Sequence, residues 1–164
     1  MKLRLLNILL LTAYHVASHS QEIIYITPPQ LFDEIKNSSK ASVVQYWVPN
    51  CANVDDIVIE YKNLQNAYSN NIDFYFLGLT NKEELVANVV KKTGYNYKIY
   101  IIDKSVDVEL PRRKETFSKE FCKLLDIEES DFITMYLDTD DSVKIKSNDI
   151  KLKKVKLKKI INMQ

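Results

Sequence analysis

Cys51 is the residue in this chain best placed to do chemistry. It stands in Pro49-Asn50-Cys51-Ala52-Asn53-Val54, after the apolar run Ser42-Val43-Val44-Gln45-Tyr46-Trp47-Val48 and before a stretch of helical spacing. A strand that ends in Pro and hands over to a helix sets the thiol at a helix N-terminus. There, unpaired backbone N–H groups and the helix dipole favour the thiolate, which is the nucleophile. Two features oppose this. Asp55 and Asp56 fall in the first turn, where they suit the helix but disfavour a nearby thiolate. A dithiol mechanism also needs a second thiol to release its mixed disulfide. The other cysteine is Cys122. Two cysteines fit one disulfide, one reactive thiol beside one core residue, or two inert residues, and spacing does not choose. Because Cys is so often buried, an apolar, inert Cys122 is the preferred expectation.

Other chemistries are hard to build. Residues 1–20 read as a secretory signal peptide: Lys2 and Arg4, then apolar Leu5 to Ala13, then small residues with cleavage after Ser18 or Ser20. Both histidines, His15 and His19, would leave with it, and with them any Ser-His or Cys-His pair and any His-containing zinc site. Removing Lys2 and Arg4 turns the formal net charge from +1 to −1, so no global basic footprint for nucleic acid is present. With Gly78 and Gly94 the only glycines, a Gly-rich phosphate loop is not available. No cofactor and no metal is expected. The expected location is outside the cytoplasm, in a bacterial periplasm or secreted.

The elements that must position Cys51 follow from pattern. Strands are expected at Glu22–Ile26, Ala41–Val48, Ile72–Leu79, Tyr97–Ile102 and Asp131–Leu137, with a hairpin return at Val143–Ile145. Helices are expected after Thr27, after Cys51 to Tyr68, after Thr80, over Glu115–Leu125 and over Lys151–Gln164. Thr27 serves as an N-cap, Thr80 with Glu83 as a capping box, and Gly94 as a C-terminal stop. The run at Val43–Val48 is nearly continuous in apolar residues, as in a strand covered on both faces. Alternating strands and helices closed by a hairpin and a last helix give a three-layer α/β/α architecture, a single domain over 21–164.

The run Tyr46-Trp47-Val48-Pro49-Asn50-Cys51-Ala52-Asn53-Val54 resembles the active-site motif F-W-A-x-W-C-x-x-C of the thioredoxin-like superfamily, in particular its exported branch related to TlpA and ResA. Tyr46 and Trp47 match the aromatic pair, and Cys51 falls on the nucleophilic Cys. The resemblance implies a thioredoxin-like α/β fold with a central mixed sheet. It also marks departures: Val54 replaces the resolving Cys, Asn50 replaces the Trp, and Ile133-Thr134 stands where the family has cis-Pro-Thr. Ile133 is expected to be trans, because a non-Pro cis bond costs about 2.5–4 kcal/mol.

These departures favour a binding or accessory role over dithiol catalysis. A groove made by Trp47, Pro49, Asn50, Cys51, Val54, Ile133 and Thr134 would hold an extended segment of a protein partner, as the family's groove does. The alternative is a monothiol oxidoreductase that uses Cys51 through a mixed disulfide. A further option is a sensor in which Cys51 is oxidised without turnover. The lysines between Lys151 and Lys159 alternate with apolar residues. A membrane contact there is weighed and not favoured; the preferred reading is a last helix with its apolar side on the sheet. Pro111-Arg112-Arg113-Lys114 reads as solvated loop.

Overall fold

The computed structural model describes residues 22–139 and 144–161. The expected signal peptide, residues 1–20, and part of the turn before the last strand lie outside the described residues. In chain order the elements are β1 (Ile23–Ile26), α1 (Pro28–Lys36), β2 (Ala41–Trp47), α2 (Val54–Tyr68), β3 (Ile72–Gly78), α3 (Glu83–Thr93), β4 (Ile99–Ile102), α4 (Leu110–Leu124), β5 (Thr134–Leu137), β6 (Lys144–Ser147) and α5 (Lys154–Ile161).

One mixed sheet carries all six strands in the order β1-β4-β3-β2-β5-β6. The first four in that order are parallel; β5 runs antiparallel to β2, and β6 antiparallel to β5. The chain steps one way from β1 to β2, then back through β3 to β4. A right-handed crossover must change face when its direction reverses. Accordingly α1 and α4 cover one face with Leu31, Ile35, Phe117 and Phe121, and α2, α3 and α5 cover the other with Val58, Val86, Leu157 and Ile160. Every residue of β2 is buried, as its apolar run predicts. Phe117 and Phe121 are wholly enclosed, and each such burial stabilises by about 1.5–3 kcal/mol. The edge strand β6 carries Lys144 and Lys146, which discourage pairing with another chain.

Local chemistry sets the helix ends. Thr27 precedes α1, and its N–H and hydroxyl both donate to Gln30 Oε1 at 2.9 Å. Gly94 ends α3 in the left-handed region, φ 61°, where a side chain is disfavoured. Three expectations need correction. The Thr80–Glu83 capping box does not form: Lys82 is the N-cap, the Thr80 hydroxyl accepts the Lys82 N–H at 3.0 Å, and Glu83 accepts the Tyr25 hydroxyl at 2.6 Å. α4 starts at Leu110, not Glu115, because Pro111 sits in the first turn, where its missing N–H costs nothing. The strand expected from Asp131 begins at Thr134.

Candidate functional site at one edge of the sheet

β1, β2, β3 and β4 all end at the same edge of the sheet, and β5 starts there. Cys51 lies at this edge, but not within a helix. Cys51 N–H donates to Val48 O at 3.2 Å, and Val54 N–H donates to Cys51 O at 3.2 Å. These two turns consume the residues after Trp47, so α2 begins only at Val54, with Asn53 as its N-cap. The expected placement of the thiol at the helix start is therefore corrected. The first N–H of α2, that of Val54, is already taken by the Cys51 carbonyl. Cys51 itself is half-buried and unpaired.

Val54, at the resolving position, is half-buried and packs against the core on the α2 face. Cys122 is fully buried on the opposite face of the sheet, its Sγ 3.8 Å from Ser130 O. Both cysteines are free. Asp55 and Asp56 do lie in the first turn of α2, and Lys92 of α3 pairs with Asp55.

The groove residues separate into two levels. Val48 and Asn50 are exposed, and Cys51, Val54 and Ile133 are half-buried. Trp47, Pro49 and Thr134 lie beneath them. Trp47 is only 4% exposed and packs edge-on to Tyr61, with ring centroids 6.2 Å apart. Its Nε1–H has no partner. The Tyr61 ring in turn stacks on Phe76 at 3.5 Å, and burial pushes the Tyr61 hydroxyl's pKa well above its ordinary value. Thr134 is sealed in: its hydroxyl donates to Asp149 O at 2.9 Å and accepts Gln45 Nε2–H at 3.0 Å. Trp47 and Thr134 are thus the floor of the site and not its walls. Ile133 has both backbone groups engaged, N–H to Ser147 O and C=O from Tyr46 N–H, each at 3.0 Å. None of the described peptide bonds is cis.

Two residues escaped the sequence reading. Gln45, inside the apolar run of β2, also donates to Ile150 O at 2.7 Å and so ties the loop before α5 to the site. A polar residue inside that run was the available signal. Arg113, read as solvated, is 2% exposed. Its Nε–H and Nη2–H reach Asp107 O at 2.5 Å and Val108 O at 3.1 Å, which pins the loop between β4 and α4. A cleft of about 560 Å³ opens beside it, lined by Tyr25, Thr80, Asn81, Asp103 and Lys104. Hydrogen bonds from Ser105 hold Asp103 below the usual carboxylate range, and the Glu83 contact raises Tyr25 to about 12.

No protein-family model matches the sequence, and no curated protein matches it. Solved structures do. The thioredoxin domain of a thiol-disulfide oxidoreductase from Bacteroides vulgatus matches with TM-score 0.50 and 15% identity, over 79% of this chain and 84% of that one. A thiol:disulfide interchange protein of the thioredoxin family from Chlorobium tepidum gives 0.51 and 16%, over 80% and 82%. A thiol:disulfide interchange protein from a Bacteroides species gives 0.50 and 14%, over 79% and 77%. At these identities the likeness is one of fold: the chain has the thioredoxin-like α/β fold.

Proposed function

We propose that this thioredoxin-like chain is exported, lacks dithiol chemistry, and uses the sheet edge around Cys51 to hold an extended segment of another protein. Its role is then accessory to redox chemistry or protein folding outside the cytoplasm. The observation that carries this is Val48, 44% exposed just past the end of β2, one turn from Cys51 and two residues beyond Tyr46, whose N–H donates to the half-buried Ile133. An exposed aliphatic residue at a strand end, beside a polar Asn50 and a thiol, suits the side chains of an extended peptide. The absence of a resolving thiol is supported by Val54 at the start of α2 and by Cys122 on the far face of the sheet.

The test is a titration of the labelled full chain with an extended apolar peptide, read by amide chemical shifts. Cys51→Ser should bind like the natural chain, and Val48→Asp should bind at least tenfold more weakly. Loss of binding in Cys51→Ser would replace this reading with a thiol-dependent one.

One observation favours that second reading. Lys92 pairs with Asp55, so one of the two carboxylates in the first turn of α2 already has a counter-charge. In a monothiol mechanism the Cys51 thiolate attacks one sulfur of a partner disulfide. The partner's S–S bond breaks, a new S–S bond joins Cys51 to that sulfur, and the partner's other sulfur leaves as a thiolate. A partner thiol then reverses the step. Isolation of a Cys51 mixed disulfide from the natural chain would support it.

A further inference from the structure

We propose that the outer face of α5 docks on an anionic phospholipid bilayer. Charge in this chain is segregated. From Lys144 to Ile161 the chain carries eight lysines against one carboxylate, Asp149, and no Asp or Glu follows Asp149. Residues 22–139 are the reverse, with nineteen Asp and Glu against thirteen Lys and Arg.

α5 divides these lysines by face. Leu157 and Ile160 are fully buried against the sheet. At 100° per residue, the opposite direction falls on Val155, flanked by Lys154 and Lys158 on one side and Lys159 on the other. Val155 is 79% exposed, and Ile150, in the turn leading into the helix, is 67% exposed. Lys153 and Lys156 are occupied by Asp149, each at 2.9 Å. Lys151, Lys154, Lys158 and Lys159 meet no carboxylate at ion-pair distance among the described residues.

The helix therefore buries one apolar side and still presents a second, smaller one ringed by unpaired ammonium groups. Exposed aliphatic residues taken singly are ordinary on a protein surface. Here they accompany four unpaired lysines, the combination that suits an interfacial helix, whose aliphatic groups enter the acyl boundary while the lysines meet lipid phosphates. A bilayer suits this face better than nucleic acid. The cations are all lysine, with no arginine fork for bidentate phosphate contacts and no aromatic for base stacking. This inference does not depend on what the Cys51 edge binds.

The experiment is flotation of the full chain with vesicles of equimolar phosphatidylglycerol and phosphatidylcholine, against vesicles of phosphatidylcholine alone. Because the full chain is used, the comparison among variants carries the reading. Partition to anionic vesicles should exceed partition to neutral ones by tenfold or more and fall as salt is raised. Combined Lys154→Glu, Lys158→Glu and Lys159→Glu should abolish the excess, and Val155→Asp should reduce it several-fold. Lys91→Glu on α3 should leave it unchanged. The fluorescence of Trp47, the only tryptophan, verifies folding of each variant. Anionic partition that survives the triple reversal, or falls equally with Lys91→Glu, would overturn the proposal. So would tight binding of soluble polyglutamate without vesicle binding, which would mark the face as a site for an acidic protein.

Discussion

Gly78 lies beneath the indole of Trp47. The two are register partners on β3 and β2, and a Cβ on Gly78 would stand 3.5 Å from Trp47 Nε1 and 3.2 Å from the Tyr100 carbonyl oxygen. The glycine is needed for space: the carbonyl belongs to β4 and cannot retreat without disturbing the strand. Gly78→Ala should cost about 1 kcal/mol and Gly78→Val about 1–3 kcal/mol, as overpacking does. Urea unfolding measures both. Trp47 emission in the folded Val variant should shift to the red as the ring is pushed outward; unchanged emission and stability would mean that the ring is not seated on Gly78.

Arg113 holds the loop after β4 through two carbonyls that have no other protein donor in the described structure. Arg113→Met removes both hydrogen bonds, at about 0.5–1.5 kcal/mol each, since Val108 is exposed and water can reach its carbonyl. Arg113→Lys should rescue less than half of the loss, because an ammonium cannot reproduce the planar fork. Trypsin cleavage at Lys104 should speed up in both variants while the rest of the chain stays protected. A Lys variant as stable as the natural chain would sink this account.

Asp149 joins β6 to α5. Hydrogen bonds from Lys156, Ser147 and Lys153 hold its carboxyl far below the usual carboxylate range. A carboxylate depressed in the folded state contributes stability that is complete above its unfolded pKa, about 3.9, and is lost as pH falls through the folded one. Docking of α5 should therefore weaken on acidification below about pH 4. Asp149→Asn should show the weakened state already at neutral pH, with less further loss on acidification. Hydrogen exchange at Leu157 and Ile160 reads this directly. An Asn variant with the natural protection and pH response would exclude the carboxylate as the tie.

The sequence made the sheet legible because its strands carry their burial in their composition. Val43, Val44, Tyr46 and Trp47 leave little choice but a strand enclosed on both faces, and each is buried. Reversal of direction at β2 then fixes which face each helix takes. What stayed hidden depends on side chains that act against their type. Arg113 lies in a charged stretch whose pattern suggests solvent, yet backbone carbonyls draw it inside. Pro111 looked like a loop residue and is instead the first turn of α4. At the candidate site, Asn50 and Cys51 follow β2 and Ile133 precedes β5, two strands that pair with each other. The depth of Trp47 and Thr134 was not legible, because it is set by Gly78 and Gln45, residues from other positions in the chain.

The two thiols should separate cleanly by accessibility. Cys51 is half-buried in a surface turn, whereas Cys122 is completely enclosed beneath α4. Iodoacetamide should give one adduct in the folded chain, at Cys51, and a second only as fast as the chain unfolds; mass spectrometry of peptides assigns both. Val54→Cys carries the argument further. The turn closed by Val54 N–H on Cys51 O keeps the two backbones adjacent, so an added thiol should come within reach of Cys51. The oxidised variant should lose reactivity at both positions and regain it with dithiothreitol, and it should speed the reduction of insulin by dithiothreitol where the natural chain does not. If the variant forms no internal disulfide, the turn rather than the missing thiol separates this edge from dithiol chemistry. If the natural chain already speeds insulin reduction, Cys51 works alone and the binding role is the wrong reading.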